Sequence, residues 1–267
     1  MTNIGKGPGK STGESMRKSR GKSGGNGSRK IALVTGGSAG IGQSISQHLL
    51  ADGYIVLNLS RRPSVVQHEN LVDVPLDLSD TAATRAVIAD LARRYAITTL
   101  VHNAGVIKPA LIESVDLDDV DYVSRLHLHA GIVLLQGVLP AMKQAGFGRV
   151  VVIGSRAMLG LQTRTGYAAT KAGQVGMVRT WALELGQYGI TANVVAPGPI
   201  VTDMFTEVIP EDSDKARQLA ASIPVRRLGQ SADVARAVMF LVAPDNGFIT
   251  GQTLFVCGGA SLGSLSL

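Results

Sequence analysis

The amino-acid sequence predicts an α/β fold in which one parallel sheet carries helices on both faces. Short runs rich in Val, Ile and Leu recur along the chain without polar alternation, and a longer amphipathic stretch follows most of them. Strands covered on both faces need this composition, and alternation of strand and helix with short connections predicts βαβ units. A glycine-rich turn also follows the first run directly. Together these features are typical of a doubly wound, Rossmann-type sheet.

Seven strands and five helices are predicted in chain order. The strands are KIALVTGG, GYIVLNLS, LVDVPLD, TTLVHNAG, GRVVVIGS, GITANVVAPG and QTLFVCGG. The amphipathic segments 42–52, 79–95, 116–144, 167–188 and 231–243 are predicted as helices. The stretch 203–222 is interpreted as a mobile lid. Because neither a composition break nor an internal repeat interrupts the chain after the first 30 positions, residues 30–267 are predicted to form a single domain.

Length and composition indicate a globular chain without internal disulfides. The 267 residues are 45% hydrophobic and 17% charged, enough to bury a substantial core. The single cysteine, Cys257, lies in an apolar run, which indicates a buried structural thiol. No apolar run is long enough to cross a bilayer, so a soluble, cytoplasmic protein is expected.

The first 29 residues differ in composition from the rest. Eight of the 26 Lys and Arg residues fall within the first 30 positions, beside a single acid, Glu14, so the remainder is nearly neutral despite the net charge of +6. Residues 1–29 have almost no apolar side chains and are predicted to be a disordered basic tail. Because no aromatic side chains are interleaved with the basic ones, no nucleic-acid partner is expected.

The turn after the first strand, TGGSAGIG, is predicted to bind a pyrophosphate group. Its glycines permit a tight turn and a close approach of the backbone to phosphate oxygens. The helix that follows directs its N-terminus, the positive end of its dipole, at the anion. The candidate cofactor-binding residues in this turn are Gly36, Ser38, Gly40, Ile41 and Gly42.

A second polar constellation combines a tyrosine, a lysine and a serine. Tyr167 and Lys171 are four residues apart at the start of a predicted helix, and Ser155 lies twelve residues upstream of the tyrosine. Side chains at i and i+4 share a helix face, so the Lys171 ammonium is expected to lower the phenol pKa below its usual value of about 10. The stretch predicts a proton donor that functions near neutral pH.

Four motifs in this order and spacing resemble the short-chain dehydrogenase/reductase family. They are TGxxxGxG from Thr35, HNAG from His102, YAATK from Tyr167 and PGPIVT from Pro197, and the resemblance covers residues 30–262. It implies hydride transfer between a nicotinamide cofactor and a carbonyl or alcohol carbon, with Tyr167 as the acid/base. It further implies that Lys171 lowers the tyrosine pKa and holds the nicotinamide ribose, while Ser155 orients the substrate oxygen.

The same resemblance implies further cofactor contacts. Asn103 would steady the central strand and the adenosine side of the site, and Asp77 would hydrogen-bond the adenine amine. Ile200 and Thr202 would contact the nicotinamide carboxamide. The remaining cofactor-binding residues implied by these motifs are Leu78, Ala104, Gly105, Pro197 and Gly198, together with Tyr167 and Lys171.

Cofactor choice is predicted from the end of the second strand. An NAD enzyme carries a carboxylate there for the ribose 2′-hydroxyl, whereas this chain has Ser60 followed by Arg61 and Arg62. A hydroxyl and guanidinium groups suit a 2′-phosphate, so NADP(H) is the preferred cofactor. NAD(H) is the alternative if both arginines form only a solvated turn. Ala39, where many NADP-using relatives carry a basic residue, argues for that alternative.

One position departs from the family pattern. Counting back from Pro140 places His127 where relatives usually carry an asparagine that completes a proton relay. Because histidine titrates near neutral pH, His127 is a candidate catalytic residue that substitutes for the asparagine. A broken relay is one alternative, and a packing histidine, with His129 as the neighbour of the site, is another. The two histidines lie on different helix faces, so no metal site is predicted.

The predicted substrate pocket is mostly apolar, which suits a medium-sized ketone or acyl group. Arg156 and Arg164 are candidate contacts for an anionic substrate, although both equally suit a solvent-facing position. The candidate lining residues are Ile107, Arg156, Met158, Leu159, Leu161, Pro199, Met204 and Phe205.

The sequence therefore predicts an NADP(H)-dependent oxidoreductase that acts on a small-molecule carbonyl or secondary alcohol. By resemblance to the family, it is expected to be a homotetramer or homodimer without a membrane partner. The alternatives among enzymes are a 3-oxoacyl thioester reductase and an NAD-dependent polyol or hydroxy-acid dehydrogenase. A non-catalytic cofactor-binding regulatory protein is the alternative from another class, although Ser155, Tyr167 and Lys171 are all present.

Overall fold

A parallel seven-stranded sheet forms the centre of the structure, a computed structural model that describes residues 30–207 and 209–262. The strand order is β3-β2-β1-β4-β5-β6-β9. Its members are β1 (Ile31–Thr35), β2 (Ile55–Ser60), β3 (Leu71–Pro75), β4 (Thr99–His102), β5 (Gly148–Ile153), β6 (Ile190–Pro197) and β9 (Thr253–Val256). The seven predicted strands and the doubly wound fold class are confirmed. The predicted basic tail, 1–29, lies outside the described residues.

Helices connect the strands on both faces of the sheet. Within the described ranges they are α1 (Gly40–Ala51), α2 (Thr81–Arg94), α3 (Leu117–Ser124), α4 (Ala130–Ala145), α5 (Thr165–Leu185), α6 (Asp203–Thr206), α7 (Asp214–Ser222) and α8 (Ser231–Val242). Four predicted helices correspond to α1, α2, α5 and α8, with ends that differ by a few residues. The segment interpreted as a lid contains α6 and α7, and its mobility stays a prediction. A short pair, β7 (Ile200–Val201) and β8 (Gly229–Gln230), is not evident in the strand pattern.

Alternate residues of each central strand supply two separate hydrophobic cores. In β1, Leu33 packs with residues of α2, α4 and α5, whereas Ala32 and Val34 pack with residues of α1 and α8. All three have no exposed surface. Because successive side chains of a strand point to opposite faces, a sheet covered on both sides needs an apolar residue at every position. The continuous apolar runs in the sequence have this cause.

The predicted continuous helix 116–144 is wrong in its middle. α3 ends at Ser124, a π-helical turn occupies Arg125–His129, and α4 begins at Ala130. The Ala130 amide donates to the Arg125 carbonyl five residues back, which is the spacing of a π turn. Such a turn inserts one residue without breaking the helix, so hydrophobic periodicity does not register it. It places His127 inside the protein, with no exposed surface.

The strand order reverses beside β1. β1 pairs with β2 on one side and with β4 on the other. The strands that follow β1 therefore extend the sheet towards one edge, and the strands from β4 onward extend it towards the other. A crevice therefore opens at the carboxyl ends of β1 and β4, where ligands bind in sheets of this kind. The TGGSAGIG turn and the HNAG motif both lie at this crevice.

A close contact between α2 and α4 yields a stability prediction. A Cβ added at Gly137 would lie 2.5 Å from Cγ1 of Ile88, too close for two carbon atoms. We expect Gly137→Ala to lower the free energy of unfolding by about 1–3 kcal/mol through overpacking, measured by chemical denaturation. The matched control is Gly176→Ala in α5, where an added Cβ meets nothing within 4 Å. The control should raise the free energy of unfolding by up to about 1 kcal/mol. Equal stabilities of the two variants would contradict the close packing.

Candidate active site

The glycine-rich turn has a backbone that only glycine can form. Gly36 and Gly40 adopt left-handed φ angles of 66° and 52°, and a Cβ at Gly42 would lie 2.0 Å from the Gly36 carbonyl oxygen. Ala39 provides no side-chain cap for α1, so the first amide groups of this helix stay available to an anion. These features fit a dinucleotide pyrophosphate.

Residues at the end of β4 hold this turn in place. The Thr35 hydroxyl oxygen accepts hydrogen bonds of 2.9 Å from the amides of Asn103 and Ala104. The Asn103 side-chain amide donates to the carbonyl oxygens of Thr35 and Gly36, at 3.1 and 3.2 Å. The expected steadying contact of Asn103 is present. Thr35 opens the TGxxxGxG motif, but no role was predicted for its side chain.

A buried asparagine in β2 supports the adenosine side of the crevice. Asn58 is 1% exposed, and its side-chain oxygen accepts from the Gly37 amide at 2.9 Å and from the Ser60 hydroxyl at 2.7 Å. Its side-chain nitrogen donates to Ser38 Oγ at 3.0 Å and to Asp73 at 2.6 Å. Asn58 was not predicted as a site residue, and its one signal in the sequence is a single polar residue inside the apolar strand IVLNLS.

Charged residues lie at the ends of β2 and β3. Arg61 and Arg62 are exposed. The pKa of Asp77 is lowered by hydrogen bonds from the Ser79 amide and hydroxyl, and the positive charge of Arg61 lowers it further. Leu78 is buried beside it, 3% exposed. The structure thus places Arg61 and Asp77, both predicted cofactor residues, at one edge of the crevice.

The predicted nicotinamide residues face the glycine-rich turn. A Cβ at Gly40 would lie 3.2 Å from Cγ2 of Thr202, so the segment after β6 lies against the start of α1. Gly198 donates from its amide to the Val256 carbonyl at 2.9 Å, and a Cβ there would lie 2.7 Å from Cβ of Cys257. The turn Pro197–Thr202 therefore packs against the end of β9. Within this turn, Ile200 is buried.

Ser155, Tyr167 and Lys171 come together at the carboxyl end of β5. Lys171 is 3% exposed, and its Nζ donates to the Ile153 carbonyl at 2.7 Å and lies 5.7 Å from the centroid of the Tyr167 ring. Ser155 precedes a short 3₁₀ turn and accepts from the Ala157 amide at 3.1 Å. The Ser155 side chain is hydrogen-bonded to Tyr167, so three of the four residues predicted to be catalytic form one cluster.

Because Gly105 has no side chain, His127 and Lys171 can both lie close to its backbone. A Cβ at Gly105 would lie 3.0 Å from Nε2 of His127 and 3.6 Å from Nζ of Lys171. The His127 ring also meets the Tyr167 ring edge to face, with centroids 5.6 Å apart. His127 therefore lies at the site, whereas His129 is exposed. The alternative in which His129 is the neighbour of the site is wrong.

Burial controls the protonation of the tyrosine and the lysine. Burial raises the pKa of the Tyr167 phenol above its usual value of 10.0, while the Ser155 hydrogen bond and the Arg164 charge lower it by smaller amounts. The expectation of a lowered phenol pKa is therefore wrong for the structure without cofactor. Burial also lowers the pKa of Lys171 to about 7, so near neutral pH the lysine supplies only part of a positive charge. The phenol accordingly stays protonated.

His127 does not titrate near neutral pH, contrary to the expectation from its residue type. Burial, the positive charge of Lys171 and the nearby His102 lower the pKa of His127 to about 2. Its Nε2 accepts from the Val106 amide at 3.3 Å, and its Nδ1 lies 2.8 Å from the Thr170 hydroxyl. The lowered pKa disfavours a proton relay that charges this ring.

The predicted substrate-lining residues differ in exposure. Leu159 and Leu161 are open to solvent, at 62% and 46% exposed. The side chain of Met204 lies outside the described residues. The half-buried members are Ile107, Arg156, Met158, Pro199 and Phe205. Exposed apolar side chains next to Ser155 leave a surface that a bound substrate would cover.

Two further features of the described residues bear on function. No three or more His, Cys, Asp or Glu side chains in 30–207 and 209–262 are grouped so as to hold a metal ion. Within those same ranges, no helix has the length and apolar character needed to span a membrane. Cys257 is buried, as its apolar neighbours predict.

Comparisons with known proteins give one consistent set of relatives. Residues 36–261 match a family model described as enoyl-(acyl carrier protein) reductase. A 3-oxoacyl-[acyl-carrier-protein] reductase of Salmonella typhimurium is 35% identical over 238 residues, covering 86% of this chain and 96% of the relative. A subunit of the (2S)-[(R)-hydroxy(phenyl)methyl]succinyl-CoA dehydrogenase of Thauera aromatica is 33% identical over 243 residues, covering 87% and 97%.

Solved structures agree with these sequence relatives. A Beutenbergia cavernae protein assigned as an NAD(P)-dependent gluconate 5-dehydrogenase, with NADP bound at low occupancy, has a TM-score of 0.81 and 32% identity over 88% of this chain and 97% of its own. An oxidoreductase of the short chain dehydrogenase/reductase family from Burkholderia thailandensis has a TM-score of 0.82 and 28% identity, covering 89% and 95%.

The buried Lys171 predicts a specific pH dependence of stability. Its folded pKa of about 7 lies below the ordinary value of 10.5, so the unfolded chain binds more protons between these pH values. We expect the free energy of unfolding to rise from about pH 7 to about pH 10, with up to about 1.4 kcal/mol per pH unit from this group. Lys171→Met should flatten the rise in denaturation experiments at several pH values. Lys215→Met, which removes an exposed lysine of α7, is the matched control, and an identical slope in both variants would contradict the assignment.

Proposed function

Because the chain belongs to the short-chain dehydrogenase/reductase family and is an NAD(P)-dependent oxidoreductase, we propose that it is an NADP(H)-dependent reductase of carbonyl compounds, working in reverse on secondary alcohols. The observation that carries this proposal is the cluster of Ser155, Tyr167 and Lys171 beside Gly105, at the crevice that fits a dinucleotide. The cluster holds a half-buried phenol, the proposed proton donor, whose ring centroid lies 5.7 Å from Nζ of Lys171.

The proposed roles follow from the protonation states. When bound, the cofactor supplies or accepts the hydride. The Tyr167 phenol, kept protonated by burial, donates its proton to the substrate oxygen during reduction. Ser155 donates a hydrogen bond to that oxygen and orients it. Lys171, anchored by the Ile153 carbonyl, holds the nicotinamide ribose and becomes charged at little cost because its pKa is about 7.

The charges at the end of β2 support NADP(H) over NAD(H). Ser60 stands where a carboxylate would repel a 2′-phosphate, and the next two residues, Arg61 and Arg62, are exposed guanidinium groups. Asp73, on the neighbouring strand β3, accepts hydrogen bonds from the Ser64 amide and from Asn58. These donors hold its carboxylate inside the protein. NAD(H) stays the alternative cofactor.

A 3-oxoacyl thioester reductase is the second candidate function. The Salmonella typhimurium relative of that activity is 35% identical over 96% of its length, and the exposed Leu159 and Leu161 suit an acyl chain. An NAD-dependent polyol or hydroxy-acid dehydrogenase depends on Arg61 playing no part in cofactor binding. A non-catalytic regulatory protein would not need the Ser155, Tyr167 and Lys171 cluster.

We also propose that the protein assembles as a homotetramer or homodimer. Among the residues that the structure describes, β9 is an edge strand that pairs only with β6, and edge strands without cover favour pairing with another chain. Apolar side chains lie open near this edge, with Phe248 fully exposed and Phe240 and Leu254 49% and 39% exposed. A second copy of the chain is the proposed cover.

The catalytic proposal predicts the effect of removing one hydroxyl. Tyr167→Phe should lower kcat by about a hundredfold to ten-thousandfold for a 3-oxo ester such as ethyl acetoacetate, because the proton donor is lost. The dissociation constant for NADPH should change by less than about threefold, since the ring remains. Steady-state kinetics and a fluorescence titration measure the two quantities, and unchanged turnover would refute the role of Tyr167.

The cofactor proposal predicts that NADPH binds more tightly than NADH. Arg61→Ala should weaken NADPH binding by about tenfold to a hundredfold, the loss of a charge-assisted hydrogen bond, and leave NADH binding nearly unchanged. Arg85→Ala removes an exposed arginine of α2 and is the matched control for net charge. Tighter binding of NADH by the unaltered protein would overturn the preference for NADP(H).

A further inference from the structure

Two buried histidines link the cofactor side of the crevice to the catalytic helix. His102 ends β4 and is 1% exposed, and His127 lies in the π turn with no exposed surface. Within the described residues, neither forms a salt bridge with a carboxylate. A buried imidazole without a counter-charge must satisfy its two nitrogens by neutral hydrogen bonds. The partners of the two nitrogens therefore determine which nitrogen carries the proton.

The partners of His102 allow one tautomer. The Thr35 hydroxyl oxygen already accepts from two backbone amides, which uses both of its lone pairs. Its own hydrogen therefore points to Nδ1 of His102, 3.1 Å away. With Nδ1 as an acceptor, the ring carries its proton on Nε2 and donates to the His127 carbonyl oxygen at 3.2 Å.

The partners of His127 require the opposite tautomer. The Val106 amide can only donate, and it points to Nε2 of His127 at 3.3 Å. The proton therefore sits on Nδ1 and is donated to the Thr170 hydroxyl at 2.8 Å. The Thr170 hydroxyl in turn donates to the Tyr167 carbonyl at 3.0 Å. Each donor in this series has one acceptor.

The series ends on one face of α5. Tyr167, Thr170, Lys171 and Gln174 recur at the spacing of a single helix face. Gln174 donates from its side chain to the His127 carbonyl at 2.9 Å, so this oxygen accepts two side-chain hydrogen bonds, as many as it has lone pairs. The hydrogen bonds of Thr170 and Gln174 to the π turn are thus directional and buried. Gly131 also permits the His102 ring to approach, since a Cβ there would lie 3.2 Å from it.

Neighbouring groups keep both rings neutral. The groups that face His127 are Lys171 and Tyr167 from α5 and His102 from β4. Burial and the charge of Lys171 lower the pKa of His102 to about 4, although hydrogen bonds to the π-turn carbonyls raise it in part. His127, with a pKa of about 2, is lowered further. A second proton on either ring would also point at a hydrogen-bond donor and find no acceptor. That donor is the Thr35 hydroxyl for His102 and the Val106 amide for His127.

We propose that His102 and His127 form one neutral hydrogen-bonded bridge that fixes the catalytic helix against the cofactor-binding turn. His102 is a positioning residue, because it reaches the catalytic cluster only through the His127 backbone. His127 is in ring contact with Tyr167, and the lone pair of its Nε2 is occupied by the Val106 amide. The bridge holds the spacing between Thr35 and Tyr167 instead of carrying a proton. The positioning role of the bridge rests on the proposed function, whereas the assignment of the two tautomers does not depend on that function.

The tautomers are tested on the unaltered chain without cofactor or substrate. In ¹⁵N NMR spectra of histidine-labelled protein, we expect His102 to carry its proton on Nε2 and His127 on Nδ1. Both rings should stay neutral from about pH 5.5 to about pH 8. The signals are assigned by their loss in His102→Gln and His127→Asn among the five histidines of the chain. An imidazolium in that range, or the reversed tautomer at either ring, would overturn the bridge.

The positioning role is tested by kinetics with NADPH and ethyl acetoacetate. His102→Leu should lower kcat about tenfold, close to 1.4 kcal/mol, and change KM for the ester by less than about threefold. His102→Gln, which keeps a donor near the position of Nε2, should restore most of kcat. His127→Leu breaks the next link of the same bridge, so the double variant should be about as slow as the slower single variant.

The outcomes separate the bridge from the proposed function. The positioning role would be refuted if the losses of kcat in His102→Leu and His127→Leu multiplied in the double variant. It would also be refuted by an unchanged kcat in His102→Leu. If the leucine variants do not fold, the comparison of His102→Gln with His102→Asn decides, because asparagine keeps the acceptor for Thr35 but is too short to reach the His127 carbonyl. Equal kcat values for these two would overturn the role. The expected tautomers without turnover of any carbonyl compound would refute the proposed function and leave the bridge standing.

Discussion

The hydroxyl of Thr35 is the contact on which the rest of the site depends. It accepts the amides of Asn103 and Ala104 and donates to His102, and it does so where the strand order reverses. Amides beyond the end of β4 have no strand partner there, so a side chain must satisfy them. By joining β1 to the HNAG segment, this hydroxyl fixes the glycine-rich turn on one side and Gly105 beside the catalytic cluster on the other.

Burial, more than charge pairing, determines the electrostatics of this cluster. Lys171 and both histidines have lowered pKa values because charging them costs desolvation, and the Tyr167 phenol has a raised pKa for the same reason. The phenol and both histidines therefore favour their neutral forms near neutral pH, and Lys171 is only partly charged. Such a site presents hydrogen-bond donors and acceptors in fixed directions. A bound anionic cofactor would favour the charged lysine, and this links cofactor binding to the protonation of the site.

Much of the fold is readable from local patterns, because a strand buried on both faces must be apolar at every position. The seven strands and four of the five predicted helices follow from that rule and from 3.6-residue periodicity. The interrupted helix 116–144 shows what 3.6-residue periodicity does not reveal. One inserted residue at Arg125–His129 rotates the following turns, and an apolar pattern tolerates that rotation. Asn58 was missed similarly, since a single polar residue in a strand does not reveal its four partners.

The sequence by itself determined the fold class, the family and the motif residues that lie at the crevice, because these depend on composition and on motif spacing along the chain. Only the tertiary structure decided how those residues behave. The chemistry of a histidine or a lysine depends on how much water reaches it and which atoms face it, and both come from segments far apart in sequence. His127 reads as a titrating residue from its type, yet its burial, the charge of Lys171 and the hydrogen bonds of Val106 and Thr170 make it a neutral one.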